Sequence, residues 1–274
     1  MSKKEPAKKK KTAPKKTAAK KTGKKATAKK AASKKTVETV VGDKSLVYID
    51  YVGRTKEDGK VFDLTMEEDA KKEGLYKENS LYTPMLVAIG WNWLLAALEE
   101  ELIGMKVGEN KIIDVPPEKG AGPRDPAKVK SIAKVKLAKQ GVRGYKGEEI
   151  TFGEERGVIT SVLGRTIRVD FNSPLAGKTL SFDVTVRSIV SEPEEKIRAV
   201  IKRRMPALPE DSFTVTIKPK TVTIELPKES RYIENIQYAE IGIAADTLKV
   251  VEKAKEVKMV VTWERPEAAK ENTT

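Results

Sequence analysis

The stretch LVYIDYVGRTKEDGKVFDL, residues 46–64, decides the fold. β-Branched and aromatic residues crowd its first half, which reads as a strand ending at Gly53; KEDGK (56–60) carries an Asp-Gly pair, and VFDL resumes the apolar pattern. An Asp-Gly turn between two such runs is a strong hairpin signal, because glycine accepts the positive φ that the twist of the flanking strands demands. The first folded element is therefore expected to be an antiparallel β-ribbon.

Downstream, residues 65–80 are charged and expected to be partly helical. PMLVAIG (84–90) reads as a strand, and WLLAALEEELIGM (93–105) as a short amphipathic helix stopped near Gly104. GENKIIDVPP (108–117) returns as a strand. Glycine, proline and charge then cluster in GAGPRDPAKVK (120–130). From Val142 to Phe171 the short runs EEITF, GVITSV and TIRVDF, separated by glycines, read as a small all-β module. SFDVTVRSIV (181–190) alternates as a long strand with no partner nearby in sequence. Residues 194–205 place Ile197, Val200 and Ile201 on one helical face. FTVTIKPKTVTIEL (213–226) reads as a hairpin, 232–254 as one or two helices and EVKMVVTWE (256–264) as a strand, giving a C-terminal ββαβ unit.

The 274 residues include no His and no Cys, which excludes thiol chemistry, zinc fingers and every Ser-His-Asp or Cys-His catalytic arrangement. Hydrophobic residues make up 39% of the chain, enough for a sizeable core. The net charge of +14 is unevenly placed: residues 1–36 hold 16 Lys and one acid, Glu5, so they carry +15 and the rest of the chain −1. This Lys-, Ala-, Thr- and Pro-rich tail lacks the apolar surface needed to offset the entropy of ordering and is expected to be disordered. It suits phosphate neutralisation, so contact with DNA, RNA or the ribosome through residues 1–36 is one reading, beside a solubilising tail that touches nothing specific or one that visits anionic membranes; its composition resembles linker-histone tails. The tail has no apolar run of the kind a secretory signal needs, and the longest apolar stretch elsewhere, residues 86–98, is too short to span a bilayer. A cytoplasmic protein without membrane contact is the expectation.

No phosphate-binding glycine loop is present, since Gly120-Ala121-Gly122 lacks the third glycine and the context of a dinucleotide fold. The paired carboxylates (Glu67-Glu68, Glu99-Glu100-Glu101, Glu148-Glu149, Glu194-Glu195) read as solvated faces. No metal site and no cofactor is expected. The basic run Lys202-Arg203-Arg204 reads as a solvated helix end or part of a ribosome contact. Taken singly, Phe62, Leu94, Leu95 and Phe182 read as core, and Tyr51 with Asp63 as a strand-end hydrogen bond.

Their order along the chain says more. Val47-Tyr48-Ile49-Asp50-Tyr51-Val52-Gly53, Glu57-Asp58-Gly59-Lys60-Val61-Phe62-Asp63, Leu98-Glu99, Gly104-Met105-Lys106-Val107-Gly108-Glu109 and Phe182-Asp183-Val184 together resemble the FKBP-type peptidyl-prolyl cis-trans isomerases over residues 44 to about 191. Pro116 to Pro126, Val169-Asp170-Phe171-Asn172 and Leu175-Ala176-Gly177-Lys178 resemble the archaeal SlyD-like branch, in which a small β domain is inserted in the flap. The resemblance implies an α+β fold: an antiparallel FKBP sheet wrapped on a short helix, an inserted small all-β domain, a C-terminal ββαβ domain and a disordered N-terminal tail. The implied boundaries are 1–36 for the tail, 44–122 with 174–191 for a discontinuous isomerase domain, 123–173 for the inserted flap chaperone domain and 195–266 for the C-terminal domain. Strand 180–190 would then complete the sheet begun at residue 46.

Carried over residue by residue, the resemblance gives Tyr51, Phe62, Asp63 and Phe182 as the catalytic set, with Met85, Leu94, Leu95, Leu98 and Ala121 around the bound proline. The floor, commonly Trp in single-domain relatives, is Leu98 here. Ala121 replaces the usual flap aromatic, and Ala97 a usual glycine, so the pocket is less aromatic. The implied partners are unfolded or nascent proline-containing polypeptides. In the inserted module Ile132, Val135, Leu137, Val158, Ile159 and Val162 divide between client contact and the module's own core. The His- and Cys-rich metal-binding tail of bacterial members has no counterpart here. Two other readings compete: a nucleic-acid-associated architectural or docking protein with a catalytically weak FKBP domain, and a chaperone without isomerase activity.

Overall fold

The computed structural model describes residues 39–265; the expectations for the tail 1–36 lie outside them. All described residues belong to the unit Thr36–Thr274. They build a mixed α/β structure of three largely antiparallel sheets and few helices.

The first sheet is organised by β1, Leu46–Thr55. One edge of β1 is shared: β2 (Val61–Leu64) pairs with its end, Val52 opposite Leu64, and β3 (Met85–Ala88) with its beginning, Leu46 opposite Ala88. The excursion between them contains α1, Glu67–Lys72. The other edge takes β9, Leu180–Val190, along its whole length, from Leu46 opposite Val190 to Thr55 opposite Leu180. β4, Asn110–Val115, completes the sheet on the far side of β9. The strand without a local partner thus pairs with two strands from the first half of the chain. β1 reads as a near-continuous apolar run because both its faces are covered. Val47, Ile49 and Tyr51 pack toward the cluster beneath α2 (Ala96–Leu102), whereas Leu46 belongs to a second cluster with Ile197, Val200 and Ile201 of α4 (Pro193–Arg204), and Tyr48 packs against it.

Two local expectations need correction. β1 continues past Gly53 to Thr55, with a register shift at Gly53 and Arg54, because pairing with β9 carries on through the glycine. The helix expected over 93–105 is confined to Ala96–Leu102: Leu95 is extended at its N-terminal boundary, and Gly104 lies beyond its end at a φ of 89°.

Between β4 and β9 the chain forms a four-stranded sheet in the order β5-β8-β7-β6: β5 Val129–Ala133, β6 Glu149–Phe152, β7 Glu155–Leu163 and β8 Thr166–Asp170. It is not all-β, because Lys134–Ala138 forms a short helix, α3, anchored by the fully buried Leu137. A five-residue helix with one buried anchor leaves no periodicity to read. Ile132, Leu137 and Ile159 are core; Val135 and Val162 are exposed.

The third sheet, β10-β11-β12, comprises Thr214–Ile217, Thr221–Leu226 and Glu256–Val261. β11 and β12 are parallel, with α5 (Ile236–Val250) crossing between them. Residues 202–204 do not form a free basic patch. The Lys202 ammonium donates to the carbonyls of Pro206 (3.0 Å) and Leu208 (2.9 Å), and the Arg203 guanidinium lies 4.0 Å from the Trp93 ring centre. The Arg204 Nε and Nη2 donate to the buried Asp246 carboxylate at 2.9 and 2.6 Å. Carbonyls at a helix end attract the Lys202 cation, a buried acid that of Arg204, and an aromatic face that of Arg203. Gly242 is the clearance for this pair, since a Cβ there would run into the Arg204 guanidinium. Among the described residues no helix is long and apolar enough to cross a membrane.

Candidate active site

Alternation along the strands of the first sheet sends Ile49 and Tyr51 of β1, and Leu180, Phe182 and Val184 of β9, to the same side as α2. The hairpin adds Phe62 and Asp63. Leu98 and Leu102, one helical turn apart on α2, face them, and Leu94 and Leu95 come from the approach to that helix. Gly120 and Ala121 lead out to the four-stranded sheet, and Leu175 lies on the way back. These residues enclose a cavity of about 300 Å³ whose wall is almost entirely hydrocarbon. The Phe62 and Phe182 rings meet edge to face at 5.7 Å, and Tyr51 lies 6.1 Å from Phe182 at a tilt of 60°. Gly53 permits this arrangement, because a Cβ there would come within 2.8 Å of Phe62 Cζ and 3.1 Å of Phe182 Cε1.

Tyr51 and Asp63 supply the polar side chains of the wall. The Tyr51 hydroxyl donates to Asp63 Oδ2 at 2.6 Å, and the Leu64 amide donates to Oδ1 at 3.0 Å, which fixes the carboxylate plane. The Tyr51 amide in turn donates to Thr65 Oγ1 at 2.9 Å. Burial pushes the Tyr51 phenol well above its ordinary range, and the hydrogen bond to Asp63 and that residue's charge push it further. Tyr48 is raised as well, chiefly by burial. Because the folded protein favours the neutral Tyr51 phenol, the stability this group contributes is complete below the unfolded value of about 10. It is lost as pH climbs through the raised folded value. In an absorbance titration of the native protein, two of the seven tyrosines are expected to ionise late, and only one in the Tyr51→Phe variant. An identical titration of the two proteins would contradict the assignment.

Glu99 organises the approach to α2. It is 4% exposed, in contrast to the solvated face expected for Glu99-Glu100-Glu101. Its Oε2 accepts from the amides of Gly90 (2.8 Å) and Asn92 (3.3 Å), and its Oε1 from the amide of Leu94 (3.0 Å). These donors lie upstream of α2, where the helix itself offers them no acceptor. Asn92 and Gly90 are held at positive φ within the same loop. One carboxylate therefore holds the segment that presents Leu94 and Leu95 to the cavity. Glu148 is likewise not free: the Gly144 and Tyr145 amides donate to it at 2.8 and 2.9 Å.

The structure brings Tyr51, Phe62, Asp63, Phe182, Leu94, Leu95, Leu98 and Ala121 to one cavity. Met85 is not among its lining residues; it sits half-buried on β3, packed against the surrounding core. Sequence reasoning did not single out Ile49, Leu102, Gly120, Leu175, Leu180 or Val184. Two-residue steps from Tyr51 and Phe182 point to Ile49, Leu180 and Val184, and a four-residue step from Leu98 points to Leu102. Leu175 carries no such local signal. Trp91 and Trp93 do not line the cavity; they meet edge to face at 5.4 Å and pack against the α4 cluster. Among the described residues no group of three or more acidic side chains is placed to hold a metal ion.

The family model described as FKBP-type peptidyl-prolyl cis-trans isomerase matches residues 37–187, and one described as FKBP26_C-terminal matches 193–264. The chain is 37% identical over 143 residues to the short-type peptidyl-prolyl cis-trans isomerase of Methanocaldococcus jannaschii, covering 52% of this chain and 90% of that one. It is 32% identical over 111 residues to the FKBP-type 16 kDa peptidyl-prolyl cis-trans isomerase of Escherichia coli K12, covering 39% and 74%. It is also 32% identical over 122 residues to the isomerase SlyD of Treponema pallidum, covering 42% and 66%. A family match over more than half of the chain, on the residues that build an apolar cleft whose polar side chains are Tyr51 and Asp63, makes this protein a member of the FKBP-type peptidyl-prolyl cis-trans isomerases.

Proposed function

We propose that the cavity around Tyr51, Phe62, Asp63 and Phe182 isomerises X-Pro bonds of unfolded or nascent chains, and that residues 123–173 act as an inserted chaperone domain feeding it. The observation that carries this reading is the chemistry of the wall, which is hydrocarbon apart from one hydrogen-bonded Tyr-Asp pair. Rotation about an amide is slow because resonance must be lost, a barrier of roughly 18–20 kcal/mol. The planar amide is charge-separated and the twisted one less so, so a dry apolar cleft favours the twisted form without breaking a bond. Leu98 forms the floor and the Phe62–Phe182 pair a wall for the prolyl ring. Asp63, held in plane by Tyr51 and the Leu64 amide, orients the substrate backbone at the mouth. A hundredfold acceleration needs only about 2.7 kcal/mol of transition-state selectivity.

The flap module is joined to the cavity by short tethers. The Gly177 amide donates to the Gly122 carbonyl at 2.8 Å, Asp125 and Asn172 exchange hydrogen bonds of 2.9 Å, and Arg124 pairs with Asp170. Ala121 and Leu175, both on the tethers, also line the cavity. Val135, Tyr145, Val162 and Leu163 give the module exposed apolar surface for an unfolded segment. A client held there reaches the cleft at raised local concentration. Deleting residues 123–173 is expected to leave isomerisation of a tetrapeptide within about threefold of the full chain, while proline-limited refolding of a protein slows by about tenfold or more. Equal loss on both substrates would reject the feeding role, and no acceleration of either by the intact protein would reject isomerisation at this cleft.

A further inference from the structure

A second cavity, about 380 Å³, lies where the start of β1, the first turn of α4 and the C-terminal end of α5 come together. Leu46, Trp91, Val250 and Val251 give it an apolar lining, and Lys44, Lys196, Lys249 and Lys253 bring four ammonium groups to it, against a single carboxylate, Glu252. Outside residues 1–36 the chain carries a net charge of −1, so this cleft has the opposite sign from the body that bears it. Two of the lysines have partners. Lys44 pairs with Glu252 at 3.2 Å; Lys249 lies 4.6 Å from the Trp91 ring centre and 3.8 Å from Asp246, whose carboxylate also holds Arg204. Lys196 and Lys253 form no ion pair among the described residues. The cleft therefore keeps two uncompensated positive charges beside an apolar and aromatic surface.

We propose that this cleft takes phosphodiester groups of single-stranded nucleic acid. Its concave, mixed lining fits a single strand, which presents a repeated charge together with base faces. The position of the cleft in the chain favours a polyanion over an isolated anion. Residues 1–36 hold 16 lysines and precede in sequence the described fold, in which Thr39, Val40 and Val41 are tied to Val107, Lys106 and Met105, and Lys44 follows within five residues. A strand engaging those lysines reaches the cleft at high local concentration, whereas a lone phosphate gains nothing from the tail. The inference does not depend on isomerisation at the other cavity.

The test uses the full chain carrying Lys196→Ala and Lys253→Ala, with oligothymidylate and oligouridylate as probes over a range of salt. Each phosphate contact on a single strand contributes about 0.7 to the slope of log K against log salt, so the double variant is expected to lose about 1.4 from that slope. The exposed pair Lys136→Ala with Lys139→Ala, on and beside α3, is expected to leave the slope unchanged. Isomerisation of an X-Pro peptide serves as the control for folding, since none of these lysines lines that cavity. A wild-type slope in the Lys196 and Lys253 variant overturns the proposal, as does an equal loss in both double variants, which indicates a diffuse field. So does dependence on these lysines for phosphatidylserine vesicles but not for either oligonucleotide.

Discussion

Replacing Phe62 by alanine is expected to lower kcat/KM toward an X-Pro peptide by about ten- to a hundredfold, which corresponds to roughly 1.4–2.7 kcal/mol of lost transition-state stabilisation. The ring is half-buried, packed edge to face on Phe182, and stands beside the Tyr51–Asp63 hydrogen bond. Truncation opens the cavity mouth to water. Water stabilises the charge-separated planar amide and removes the apolar preference for the twisted one, so the loss falls on the rate more than on the fold. Phe62→Leu, which restores hydrocarbon without the ring, is expected to recover part of the rate. Phe182 is a poorer probe: it is fully packed between β1 and β4, and deleting a buried aromatic costs about 3–5 kcal/mol of stability. The measurement is steady-state isomerisation alongside thermal unfolding. A folded Phe62→Ala protein with wild-type kcat/KM would remove the aromatic wall from the mechanism.

Glu99→Ala is expected to do damage of a different kind. Three amides, those of Gly90, Asn92 and Leu94, lose their acceptor at once in a segment that also holds Gly90 and Asn92 at positive φ. Hydrogen bonds to a charged group contribute about 1.5–3 kcal/mol each, and since one carboxylate makes all three and water replaces part of them, a combined cost of about 3 kcal/mol is expected. The loop carries Leu94 and Leu95, so the cavity loosens along with it. The resulting signature is a lowered Tm, a kcat/KM reduced by about tenfold, or about 1.4 kcal/mol, and weaker discrimination between residues preceding the proline. Glu99→Gln keeps one acceptor oxygen but turns an NH2 toward the other donors, and should fall between the two. Wild-type stability and rate in Glu99→Ala would show that the loop is held by something else.

These two residues also mark how far the chain could be read. Phe62 was legible through the family resemblance: taken singly it reads as core, and its place after the Asp-Gly turn and before an acid counts because the other motifs follow in the same order. Glu99 was not, because three adjacent glutamates look like a solvated face. What buries the first of them is a loop that curls back over it, nine to five residues upstream. Met85 shows the converse: order along the chain placed it by the proline, whereas in the fold it packs against the surrounding core and does not line the cavity.

By itself the sequence determined the strands around the hairpin and the family, because these follow from two-residue alternation, turn chemistry and motif order. Tertiary structure alone decided the seat of Leu175 in the cavity wall, the capture of Arg204 by Asp246, and the placement of Trp91 and Trp93 away from the cavity. Local spacing records how a side chain leaves its own backbone; its partner, burial and charge balance depend on distant segments that only folding brings within reach.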